Sequence, residues 1–198
     1  MSLRHLAIRT TLRTLFRNTA STAVPPRVQR ALIDAAARTM PVPRGLQVAS
    51  TRLAGLPARR LDPAGAGEAS VLLYLHGGAY VIGSPRSHTP LAGHLAQAAG
   101  LRTWVIDYRL APEHPYPAAV EDAVDAYRAL LAAGTTRVVL AGDSAGGGLA
   151  LATALAIRDD GLPAPAALAL MSPWTDLTLS GASMVARFER EPMLNPPW

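Results

Sequence analysis

The 198-residue chain contains no cysteine, and about half of it is apolar. Disulfide frameworks, thiolate metal sites and thiol redox chemistry are therefore excluded, while one domain with a sizeable core is within reach. The formal net charge of +5 is carried by arginine alone, and six arginines (Arg4, Arg9, Arg13, Arg17, Arg27 and Arg30) precede the first acidic residue, Asp34.

From Asp34 onward the chain is close to neutral. The arginines are not interleaved with aromatic residues and form no binding motif, so no nucleic-acid partner is expected. The segment to about Arg38 has helical periodicity broken at Pro25-Pro26, which predicts two helices. Ser21 or Thr22 can cap the second, and Val28, Leu32 and Ile33 give it an apolar stripe. A basic, acid-poor amphipathic start fits an organelle transit segment, a membrane-surface helix or a helix that covers something apolar; the last is preferred, because most such helices pack on a core. Arginines and threonines interrupt every apolar run there, so a secretory signal is not expected, and no stretch is apolar enough to span a bilayer. A cytoplasmic location fits.

After Pro41 and Pro43, residues 46–52 and 56–61 read as a pair of early strands. Residues 71–75, Val-Leu-Leu-Tyr-Leu, are a continuous apolar run of the kind buried on both faces of a sheet. A helix over 91–100, a strand over 102–108, a helix over 118–133, a strand ending at Ala141, a helix over 147–158 and a strand over 167–171 follow. Strand and helix alternate throughout, which predicts an α/β fold with a mainly parallel sheet covered on both faces.

The chemistry concentrates at Gly142-Asp143-Ser144-Ala145-Gly146, between a β-branched strand and a helix. A strand-to-helix turn that holds a serine proud of a sheet crowds the backbone, and glycines two before and two after the serine relieve that crowding. Ser144 is thus the candidate nucleophile. At the end of another buried strand stands His76-Gly77-Gly78-Ala79. Acyl transfer passes through an oxyanion that needs backbone N–H donors aimed at it in advance. Gly78 and Ala79, with Gly77 shaping the turn, are the candidate donors on one side, and Ala145 on the other. Asp143 points away from the serine in such a turn, so it is expected to hydrogen-bond structurally. Arg109 is expected to pair with Glu113 or Asp107. No cofactor or metal site is expected.

With these two motifs, the segment Asp107-Tyr108-Arg109-Leu110-Ala111-Pro112-Glu113-His114-Pro115 and the segment Ser172-Pro173-Trp174-Thr175-Asp176-Leu177, the sequence resembles the hormone-sensitive-lipase family of α/β-hydrolases over about residues 70–195. The resemblance implies an α/β-hydrolase fold with an N-terminal helical cap (residues 1–45) on a core of residues 46–198. It implies Ser144 as nucleophile, an oxyanion hole from Gly77, Gly78, Ala79 and Ala145, and support from His76, Gly142, Asp143 and Gly146. Where the family more often has glycine, this chain has Ala79, which still offers an N–H. His76 is expected to brace the loop. The substrate implied is a small, fairly apolar ester or lactone.

In that family the triad runs serine, aspartate, histidine, yet His5, His76, His88, His94 and His114 all precede Ser144. Some α/β-hydrolases carry the acid near Asp176; the family resembled here carries it one strand later. The expectation is a core whose last strands are missing, with Glu189 to Leu194 resembling the lead into the second part of a cap. Such a chain is expected to be an impaired hydrolase, to leave an apolar sheet edge unpaired and to self-associate through it. The alternative is a non-catalytic ligand-binding or degenerate fragment on the same fold.

Overall fold

A computed structural model describes residues 24–182 and Ala186. The first expected N-terminal helix, the Ser21 or Thr22 cap expected for the second and the Glu189-to-Leu194 segment lie outside the described residues. Among the described residues these elements follow one another: α1 (Pro26–Ala37), β1 (Gln47–Leu53), β2 (Leu56–Asp62), β3 (Ser70–Leu75), α2 (Pro85–Ala99), β4 (Arg102–Ile106), α3 (Ala118–Ala132), β5 (Arg137–Asp143), α4 (Ala145–Asp159) and β6 (Ala167–Met171). The chain divides into two compact units. Leu32–Thr175 holds the whole sheet and α2 to α4, and the flanking segments, up to Ala31 and from Asp176, make the other.

The sheet has six strands in the order β1-β2-β4-β3-β5-β6. β4, β3, β5 and β6 run parallel, whereas β2 is antiparallel to both β1 and β4. The β1–β2 hairpin closes through Ala54 and Gly55, both at positive φ (50° and 78°), the backbone that a two-residue turn between right-twisted strands requires.

β3 shows why an unbroken apolar run belongs at the centre. Successive side chains of a strand point to opposite faces. Val71, Leu73 and Leu75 pack with Tyr127 and Leu130 of α3 and Leu149 and Ile157 of α4, while Leu72 and Tyr74 pack with Ala92 and Ala96 of α2. Both faces are covered, so neither can be polar. The register pairs Leu75 with Gly142 and Gly142 with Leu170. The carboxyl ends of three adjacent parallel strands therefore finish together.

Two expectations are corrected. The helix expected from Leu91 begins at Pro85. Ser84 builds a capping box with Ser87, accepting from the Arg86 and Ser87 N–H groups, and Pro85 starts the helix. A proline at the first helical position forfeits no bond that the helix would have made. Pro90, which looks like a breaker, lies inside this helix and removes only its own N–H. Arg109 pairs not with Glu113 or Asp107 but with α3: its Nε lies 2.9 Å from Asp122 and its Nη2 2.8 Å from Glu121. Asp122 is buried and also accepts the Arg109 N–H at 2.7 Å, so one carboxylate holds both the backbone and the side chain of Arg109. In α1, Val28 and Leu32 of the expected stripe remain about half exposed (47% and 49%).

Candidate active site

Ser144 occupies the junction of β5 and α4 with φ 51° and ψ −120°. A non-glycine residue there is strained and persists only where its surroundings over-determine it. Those surroundings are visible. The Ser144 N–H donates to Met171 O at 2.9 Å, and its carbonyl accepts from Gly148 N at 3.1 Å and Trp174 N at 2.8 Å. The side chain is exposed and makes no cap bond to α4, so the hydroxyl is not spent on the helix it precedes. α4 starts at once with Ala145, two residues earlier than the expected Gly147. The first N–H groups of a helix lack intrahelical partners, and this start puts the unpaired end of α4 directly after the serine.

The flanking glycines are required by contact. A Cβ on Gly146 would overlap the carbonyls of Leu75 and His76, and one on Gly142 would overlap Gly146 and the Leu75 carbonyl. At Gly147 it would lie 2.9 Å from Pro173 Cβ. Gly148 is equally closed, against the Trp174 carbonyl. The elbow thus presses on the exit of β3, where the second motif begins.

That second motif is pinned from both sides. The Gly77 N–H donates to Asp143 Oδ1 at 2.9 Å, and His76 Nδ1 donates to the Gly77 carbonyl at 2.9 Å. Because a trans peptide holds its C=O and N–H antiparallel, fixing the Gly77 carbonyl fixes the direction of the Gly78 N–H. Gly77 is buried and its N–H is committed to Asp143, whereas Gly78 and Ala79 are partly exposed. Among the described residues, no protein acceptor receives the N–H of Gly78, Ala79 or Ala145. Gly77 therefore shapes the loop and has no N–H left to offer an oxyanion. Gly78 (φ 123°), Ala79 (φ 55°) and Tyr80 (φ 62°) turn the loop. A Cβ on Gly78 would strike the Ile82 carbonyl, so only glycine fits there.

His76 is fully buried, stacked on Tyr108 at 4.3 Å and on His88 at 5.2 Å between ring centroids. Tyr108 donates its hydroxyl to the His76 carbonyl at 2.7 Å. Burial, with His88 adding to it, pushes the His76 pKa down to about 3, so the ring is neutral at ordinary pH and its Nε2 has no hydrogen-bond partner. For Asp143, burial acts upward, but His88, the Tyr74 hydroxyl and the Gly77 N–H outweigh it and hold the pKa at about 2. Asp176 accepts from the N–H and hydroxyl groups of Thr178 and Ser180, closing its own turn.

Ser144, Ala145, Gly142, Asp143 and Gly146 are thus brought against His76, Gly77 and Gly78 by the shared ends of β3 and β5. Three participants escaped the sequence reading. Tyr74 is hidden in an apolar run, His88 lies ahead of the helix expected from Leu91, and Tyr108 carries no signal beyond its place in the 107–115 segment. Among the described residues no three histidine or carboxylate groups converge to hold a metal ion, and no helix is long and apolar enough to cross a membrane.

A family model described as alpha/beta hydrolase fold matches residues 72–198. An acetyl-hydrolase of Streptomyces hygroscopicus is 56% identical over 126 residues, 63% of this chain and 42% of that protein. An esterase of Acinetobacter venetianus is 35% identical over 175 residues, 87% of this chain and 57% of its own length. The crystal structure of a hormone-sensitive lipase from a metagenome library superposes with a TM-score of 0.86 at 44% identity, covering 95% of this chain and 64% of that one. The chain thus spans roughly half the length of these curated relatives.

Proposed function

The chain belongs to the hormone-sensitive-lipase family of α/β-hydrolases, and from that membership we propose that it carries the nucleophile side of a serine carboxylic-ester hydrolase. The observation that carries the reading is Ser144 itself: an exposed hydroxyl on a strained turn, followed by the unpaired N-terminus of α4, on an elbow packed against the exit of β3 from which the Gly78 and Ala79 loop continues. In the proposed reaction Ser144 Oγ adds to the ester carbonyl while a base takes its proton. The oxyanion accepts from Gly78, Ala79 and Ala145, and collapse expels the alcohol, which takes up the proton. Water then cleaves the acyl-serine by the same route in reverse. Relatives named as acetyl-hydrolase and ethyl acetate hydrolase support small acyl esters as the substrate class, and alanine at position 79, where the family more often has glycine, fits a narrow acyl site.

The base is the weak point. All five histidines precede Ser144, the reverse of the family order. His76 is sealed and His88 is turned toward Asp143. Without a base a serine hydroxyl is a poor nucleophile, and in serine hydrolases its loss costs on the order of a millionfold in turnover. We infer that these 198 residues hydrolyse esters slowly unaided. The test combines fluorophosphonate labelling with turnover of p-nitrophenyl acetate. Slow modification confined to Ser144 and abolished by Ser144→Ala supports the reading. Absence of any serine modification overturns the hydrolase assignment in favour of a binding fragment, and fast serine-dependent turnover overturns the inferred impairment.

A further inference from the structure

We propose that Tyr74 and His88 are positioning residues for the acyl-transfer site, acting through Asp143 to hold the oxyanion loop against the nucleophile turn. The proposal rests on the ester-hydrolase reading of Ser144. Its core is one carboxylate with two attachments. Asp143 is joined covalently to Ser144, and its Oδ1 holds the Gly77 N–H at 2.9 Å. Any movement of that carboxylate therefore changes the spacing between the nucleophile and the loop that presents the Gly78 and Ala79 N–H groups.

Two further groups keep the carboxylate still. The Tyr74 hydroxyl donates to the same Oδ1 at 2.7 Å. Tyr74 is fully buried one residue before the carboxyl end of β3, so its ring is anchored by the sheet. His88 Nε2, from α2, stands 3.7 Å from the same Oδ1, and its ring centroid lies 6.4 Å from that of Tyr74. Its other edge is fixed, with Nδ1 2.9 Å from Ser87 Oγ inside the capping box, and its face stacks on His76. One carboxylate oxygen thus meets a group from the strand and a group from the capped helix.

A buried hydroxyl near the end of an apolar strand is a costly choice for packing alone, since phenylalanine fills the same space without a buried donor to satisfy. Tyr74 meets that cost with a bond to an ionised acceptor, which is among the stronger kinds. Oxyanion donors contribute only where they already point at the developing charge, and an unbraced loop loses that alignment before it loses its fold.

The test uses the full 198-residue chain and two readouts. One is amide hydrogen exchange at Gly77. The other is the rate of fluorophosphonate labelling at Ser144, resolved into the saturating rate and the half-saturating concentration. Tyr74→Phe is expected to raise Gly77 exchange and to lower the saturating labelling rate, each about tenfold, the worth of one charge-assisted hydrogen bond, with the half-saturating concentration unchanged. His88→Phe, which keeps the stack and removes the ring nitrogens, is expected to move both readouts in the same direction by less. Gly77 exchange that stays at the parent value in Tyr74→Phe overturns the proposal, and so does unchanged labelling where the parent is labelled. If the parent itself is not labelled at Ser144, the ester-hydrolase reading fails, and Gly77 exchange alone then decides whether Tyr74 holds the loop. Should Tyr74→Phe fold poorly, Asp143→Asn, which keeps an acceptor but removes the charge, is measured instead and must give the same two changes.

Discussion

The proposed nucleophile turn is decided by atoms that are not there. Gly146 can hold no side chain because the Leu75 and His76 carbonyls already occupy its Cβ position. Gly146→Ala is expected to destabilise by about 3 kcal/mol or more, since a backbone oxygen cannot step aside as a flexible side chain would. Gly67→Ala, with open space around it, is expected to stay within about 0.5 kcal/mol. Urea denaturation of the two variants checks the contrast. The glycine spacing announced this crowding, whereas the partners that press on it come from β3, about seventy residues earlier.

A buried histidine and a half-buried aspartate contribute to the acid side of stability. His76 ionises in the fold at about 3 against an ordinary 6.5, so between those values the unfolded chain binds a proton that the folded chain refuses. Its contribution is complete above about pH 6.5 and is lost as pH falls toward 3. Asp143, at about 2 against 3.8, contributes about 2 kcal/mol that is complete above about pH 4 and lost as pH falls through 2. Denaturation midpoints are therefore expected to fall continuously from pH 6.5 downward. His76→Asn, less stable at pH 7, is expected to flatten the limb between pH 6.5 and 4; an unchanged slope there would refute the assignment.

At the scale of elements, α2 carries more of the site than its sequence suggests. Its first turn delivers His88 to Asp143, and that turn is held by Ser84, whose hydroxyl accepts two backbone N–H groups and donates to Asp34. Ser84→Ala is expected to cost about 1 kcal/mol and to loosen the first turn, measured as faster amide exchange at Arg86 and Ser87. The serine, proline and second serine of this cap are legible signals. Pro90 lies inside the folded helix, where it withholds one N–H from the ladder. The strands needed no such correction: apolar runs bounded by glycine and proline located β3, β5 and β6 within one or two residues.

For the whole molecule, the sheet ends at β6 among the described residues, and Ala167, Leu168 and Ala169 are exposed there. An apolar edge strand is a template for pairing with another chain. The 198-residue chain is expected to self-associate on size-exclusion chromatography, and Leu168→Lys, which places a charge on that strand, is expected to shift it toward the monomer. A parent that elutes as a clean monomer refutes this.

The sequence by itself determined the alternation of strand and helix, the glycine-flanked serine, the His-Gly-Gly loop and, from their order, the family. These are local signals, written in spacing and in residue types that only certain backbone conformations accept. Only the tertiary structure decided that the Gly77 N–H is spent on Asp143, that Arg109 answers to α3, and that Tyr74 and His88 meet at one carboxylate. Those choices depend on competition between groups distant in sequence, where burial and distance select the partner, and neither is a property of any single stretch of chain.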